Sequence, residues 1–141
     1  MSRSWLAAVG LAAVAFAGCG PSNTSTPSEG QIESALEARG IHVCNSGTAP
    51  SHYHGAGTAQ WYALSHSCSS SSTREAIVGV IPFDKKVDRN SAFRQTLYGA
   101  RRVPNNIVVL TFKNSLVVMT HIKNRHLSQQ TIGQLKSLGA K

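Results

Sequence analysis

IVVLTFKNSLVVMTHI, residues 107–122, reads as a β-hairpin. Two apolar runs, 107–112 and 116–122, flank Lys113-Asn114-Ser115, and short β-branched runs around a polar turn signal paired antiparallel strands. Upstream, AIVGVIPF at 76–83 is nearly all apolar, as a central strand is, and Pro82 near its end marks the exit from the sheet. Between these strands the pattern predicts a helix from about Arg89 to Tyr98, with Asp88 as cap, Gly99 as stop, and Ala92, Phe93 and Leu97 facing the core. Further upstream, 60–68 alternates as a strand, with Tyr62, Leu64, His66 and Cys68 on one face and Trp61, Ala63, Ser65 and Ser67 on the other. Residues 41–44 read as a short strand, 45–58 as a polar, Gly-rich loop and 69–73 as a flexible turn.

Two more helices bracket the strands. Ser28 and Gln31 form a capping box ahead of Ile32, Ala35 and Leu36, and Gly40 stands at the stop. At the other end a helix is expected from Ser128, with Leu127 and Ile132 as a hydrophobic staple, a buried stripe of Ile132, Leu135 and Leu138, and Gly139 as its end. The order is therefore α-β-β-β-α-β-β-α. The expectation is an α+β fold: an antiparallel sheet of about four to five strands with helices packed on one face. The stretch β-α-β-β-α resembles part of a ferredoxin-like split unit.

The N-terminal residues carry the three parts of an export signal. Arg3 is a basic start, 5–16 is an apolar run broken only by Gly10, and Ala17 and Gly18 are small residues before Cys19. The run falls short of the ~20 apolar residues a membrane-spanning helix needs. Phe16-Ala17-Gly18-Cys19 resembles the lipobox of bacterial lipoproteins. That resemblance implies cleavage before Cys19, and acylation of Cys19, of the diacylglyceryl and palmitate kind. Two or more acyl chains hold a protein stably on a bilayer. Residues 20–28, GPSNTSTPS, offer no apolar side chain to a core and read as a flexible tether. The expected division is a removed signal at 1–18, a lipidated tether at 19–28 and one domain at 29–141. The expected location is the outer side of the cytoplasmic membrane, periplasmic or extracellular.

Charge is uneven along the chain. Residues 84–141 hold eleven of the fourteen Lys and Arg against Asp84 and Asp88, a formal +9, within a chain of net charge +8. A basic half on a tethered, exported domain points to an anionic lipid, a wall polymer or an acidic protein. Arg101, Arg102, Lys113, Lys123, Arg125 and Lys136 are the candidate anion-binding residues, and His121 and His126 add charge in acid. The few aromatics and the export signal argue against nucleic acid.

With Cys19 acylated, Cys44 and Cys68 are left as a pair, and in an oxidising compartment a lone pair of thiols forms a bridge. The alternative is metal. His42-x-Cys44 and His66-x-Cys68 are matching pairs whose side chains would converge if the two strands paired in register, and such a Cys2His2 set suits zinc or copper. His52 and His54 are a second possible grip on the polar loop. An enzyme finds little support: there are six carboxylates, no G-x-S-x-G elbow and no P-loop. The domain is thus expected to bind without a cofactor and to perform no chemistry.

From residue 40 onward the chain resembles a group of small, uncharacterised lipoproteins of actinobacterial type. The residues that carry the likeness are 36–44 (LEARGIHVC), the second cysteine at a strand end, and Val80-Ile81-Pro82-Phe83-Asp84 leading to Ala92-Phe93-Arg94. The resemblance implies the anchor and the bridge, and no activity.

Overall fold

In the computed structural model of the chain, residues 28–69, 74–103 and 106–141 are described. The apolar run at 5–16, Cys19, the tether up to residue 27 and turn residues 70–73 lie outside the described residues. Among the described residues no helix is long and apolar enough to cross a membrane.

The elements follow the expected order: α1 (Glu29–Glu37), β1 (His42–Ala49), β2 (Ala59–Ser65), β3 (Ala76–Pro82), α2 (Lys86–Ala100), β4 (Val108–Phe112), β5 (Ser115–Thr120) and α3 (Arg125–Ser137). The fold is α+β, with one open antiparallel sheet ordered β1-β2-β3-β5-β4. β5 pairs with both β4 (Leu110↔Val117) and β3 (Val78↔Met119). It is therefore inserted between them, and α2 crosses from β3 to β4 in a split β-α-β unit.

The helices do not share one face, contrary to the expectation. Val78, Val80, Leu110, Phe112, Val117 and Met119 pack with Ile32 and Leu36 of α1 and Leu127 and Leu135 of α3. The alternate residues Ile81, Val109, Leu116 and Val118 pack with Ala92 and Phe93 of α2. Strands covered on both sides need apolar residues at every position. This is why β3, β4 and β5 read as unbroken apolar runs rather than as alternating ones.

Several boundaries shift for local reasons. β1 extends to Ala49, well into the expected loop, because Asn45–Ala49 keep pairing with β2 after a bulge at Cys44. β2 stops at Ser65 rather than at Cys68. Ser115 joins β5, leaving Lys113 and Asn114 as the hairpin loop, with Lys113 in the left-handed region (φ 49°). The Asn114 amide donates to the carbonyls of Phe83 and Asp84, which ties the loop to the end of β3. α2 starts at Lys86 and runs through Gly99, so Asp88 lies in its first turn and does not cap it. α3 starts at Arg125 and is capped by Asn124, whose Oδ1 accepts from Leu127 N–H. Ser128 is therefore inside the helix, and the expected Leu127–Ile132 staple is out of register; Leu127 is a core residue. The first helix matches its reading. Ser28 and Gln31 form the capping box, and Gly40 (φ 71°) takes the left-handed position that lets Ile41 N–H return to Leu36 O.

Candidate functional site

Cys44 and Cys68 form a disulfide, with Cα atoms 5.2 Å apart. The bridge joins the β1 bulge to the segment after β2 and consumes both sulfurs. No thiolate remains for a Cys2His2 set, which corrects the alternative reading. The two histidines also part company. His42 pairs with Ser65 across the β1–β2 ladder, while His66 turns to Glu75 and to Gln130 on α3. Among the described residues no three His, Cys, Asp or Glu side chains gather as a metal site.

The loop bearing His52 and His54 is docked on α2 by the residue between them. Tyr53 packs on Phe83, with ring centroids 6.4 Å apart, and its hydroxyl hydrogen-bonds Thr96 Oγ1 at 2.6 Å. Gly55 (φ 71°) sits on the Asp88 carboxylate, where an added Cβ would lie 2.5 Å from Oδ2. The two histidines flank this contact and stay exposed. Sequence reasoning missed the docking because it depends on a partner helix far along the chain.

Glu75, at the start of β3, is a hub. Its Oε1 accepts from Asn124 Nδ2 at 2.9 Å, and its Oε2 accepts from His66 N–H at 2.7 Å and Ser65 Oγ at 2.9 Å. His66 Nδ1 stands 3.4 Å from the same oxygen. The Asn124 amide first, and the His66 backbone N–H next, hold the Glu75 carboxyl below the usual carboxylate range against the opposing effect of burial. Ser65 donates to the carboxylate, and His66 Nε2 faces the Gln130 amide at 3.2 Å. The group thus joins the β2 end to the α3 cap rather than aligning hydroxyl, imidazole and carboxylate as a relay.

The cations cover two ends of the sheet and the helix between them. Lys123 and Arg125 flank a groove of about 470 Å³ beside Val108 and Ile132, where β5 ends. Lys113 sits at the far end of β5, at the hairpin tip, and lines a groove of about 540 Å³ with Lys86, Arg89 and Lys141. No Asp or Glu side chain lines either groove. Arg101 and Arg102 close α2, and Arg102 lies over the Tyr98 ring at 4.7 Å while donating to its hydroxyl. Lys136 stands in the last turn of α3. The six candidate residues are therefore not one cluster. Lys86, Arg89 and Lys141 are the ones sequence reading left out. They come from a helix start and the chain's last residue, and only the hairpin between them brings them together.

Among the described residues, Lys85, Lys86, Arg94, Arg101, Lys123, Arg125 and Lys136 have no carboxylate within ion-pair distance; the close contact present, His66 with Glu75, uses neither Lys nor Arg. A third concave region, of about 360 Å³, opens over β1 and β2 beside the disulfide, lined by Trp61, Asn45, Ser65 and Arg74. The Trp61 ring lies across Gly47, where a Cβ would come within 2.8 Å of it. Comparison with protein-family models, with curated proteins and with solved structures finds no significant match.

Proposed function

We propose that the chain is an exported lipoprotein, anchored through acylated Cys19, whose domain binds an anionic component of the cell envelope through its basic C-terminal half. The observation that carries this reading is the uncompensated charge. Among the described residues, seven Lys and Arg side chains from residue 85 onward stand without a carboxylate partner, and no Asp or Glu side chain lines either of the two grooves. Unpaired like charges repel one another and destabilise the folded domain, and an anionic partner relieves that cost. The Phe16-Ala17-Gly18-Cys19 motif supports the anchor, and the Cys44–Cys68 bridge is in keeping with an oxidising compartment.

The test uses inorganic polyphosphate as the anionic probe. The protein is expected to bind it at low salt and to release it progressively as ionic strength rises, because each cation–phosphate contact is screened. Arg101→Glu, Arg102→Glu, Lys123→Glu and Arg125→Glu together should weaken binding at least about tenfold, since a charge near an anionic surface contributes on the order of 1 kcal/mol. Unchanged affinity both in the four-site variant and in Lys86→Glu with Lys113→Glu, which reverses charge in the other groove, would remove this reading.

A further inference from the structure

Three large apolar side chains stand exposed among the described residues: Val87 (65%), Tyr98 (62%) and Val103 (42%). All three belong to α2 or to the turn that leaves it. Along a helix of 3.6 residues per turn, Val87, Arg94, Tyr98 and Arg101 fall on one stripe. The stripe is opposite Ala92 and Phe93, which meet the sheet. The outward face of α2 therefore mixes apolar groups with cations. Asp88, the helix's one acid, is turned under Gly55 and away from that face. The opposite helical layer is of mixed sign, for α1 carries Glu33 and Glu37 while α3 carries Arg125 and Lys136.

We infer that α2 is the helix by which the domain lies on an anionic phospholipid bilayer, the one that holds the anchor. Val87, Tyr98 and Val103 enter the headgroup layer, and Arg94, Arg101 and Arg102 meet lipid phosphates. The inference rests on the anion-binding reading above and names its partner. A soluble polyanion or a wall polymer would satisfy the cations, but it gives the exposed apolar side chains nothing to enter. A lipid surface satisfies both kinds of group, as it does for interfacial helices. The Arg102–Tyr98 pair suits the same boundary, since tyrosine presents a ring to the apolar side and a hydroxyl to the wet one. The anchor permits this geometry without imposing it. The chain from Cys19 to Ser28 spans at most about 30 Å, enough to pass either helical layer of a three-layer domain. The exposed apolar groups then decide which layer faces the lipid, since Val87, Tyr98 and Val103 all belong to α2 or the turn that leaves it.

The experiment uses the full chain, purified from membranes and reconstituted into phosphatidylcholine vesicles with or without phosphatidylglycerol. Single thiols, Val87→Cys, Val103→Cys and Ser34→Cys (on α1), carry a polarity-sensitive dye, with the parent chain treated identically as background. All three sites are exposed, so the substitutions leave the fold intact. Emission from positions 87 and 103 should rise severalfold and shift to the blue only when phosphatidylglycerol is present, while position 34 stays water-like. Adding Arg94→Glu, Arg101→Glu and Arg102→Glu should abolish the response. Water-like emission at 87 and 103 on anionic vesicles, or an equal response at 34, overturns the inference. If salt-sensitive polyphosphate binding persists in that case, the partner is a soluble or wall polyanion and only the bilayer assignment fails; if it too is absent, both readings fail.

Discussion

Asn124 serves Glu75 and α3 at once: its Nδ2 donates to Glu75 Oε1 at 2.9 Å while its Oδ1 accepts from Leu127 N–H at 3.1 Å. One side chain thus connects the start of β3 to the start of α3, across a separation of 49 residues. The backbone repeats the link, with Lys123 N–H donating to Glu75 O at 2.8 Å.

The Glu75 carboxylate should make stability depend on pH. Its folded pKa is depressed, chiefly by Asn124. Its contribution is therefore complete above the ordinary carboxylate pKa and is lost as pH falls through the lower folded value. Glu75→Gln should cost about 1–2 kcal/mol at neutral pH, the worth of hydrogen bonds to a charged group. Urea denaturation of both proteins at neutral and strongly acid pH should show this gap closing in acid. A gap independent of pH would mean the carboxylate charge is not what the network holds.

Asn124→Ala should destabilise by about 1–2 kcal/mol, since it removes a cap and a partner of Glu75 together. Asn124→Asp separates the two roles. It keeps the capping oxygen but withdraws the amide donor and sets a second carboxylate beside Glu75, so its deficit should shrink in acid. Chemical denaturation across pH measures both effects.

Gly55→Ala should cost roughly 1–3 kcal/mol, because φ of 71° is strained for a side chain and the new Cβ meets the Asp88 carboxylate. Asp88→Ala in the same chain should recover part of this loss and leave the backbone share. Thermal denaturation of the two single variants and the double variant gives the coupling. Additive losses would show that the loop does not rest on Asp88.

Ser115→Ala should leave stability unchanged or raise it by about 1 kcal/mol. The Ser115 hydroxyl is fully buried and has no hydrogen-bond partner, and a buried polar group without one is a net cost. A loss above that size in a denaturant melt would reveal a partner for the hydroxyl.

Replacing Cys44 and Cys68 by alanine should cost about 3 kcal/mol, the chain-entropy value for a closed loop of this length. Denaturation of the parent with and without reductant should reproduce most of that difference. The β1–β2 ladder already limits the loop in the folded state, so the gain comes from the unfolded chain.

Local pattern by itself determined the elements and their order. The apolar runs at 76–83, 107–112 and 116–122 mark strands, Ser28 with Gln31 and Gly40 bound α1, and the pair left after Cys19 points to the bridge. Each of these signals is read within a few residues, where periodicity and turn chemistry act. Only the tertiary structure decided that α2 covers the opposite face of the sheet, since an unbroken apolar strand does not say which helix covers which side. The tie of the α3 cap, Asn124, to Glu75 and the docking of Tyr53 on Thr96 join residues distant in sequence. The same holds for the cations. Composition places them in the C-terminal half, but the grouping of Lys86, Arg89, Lys113 and Lys141 and the mixed outer stripe of α2 arise from strand pairing and helix rotation, which are properties of the whole packed chain.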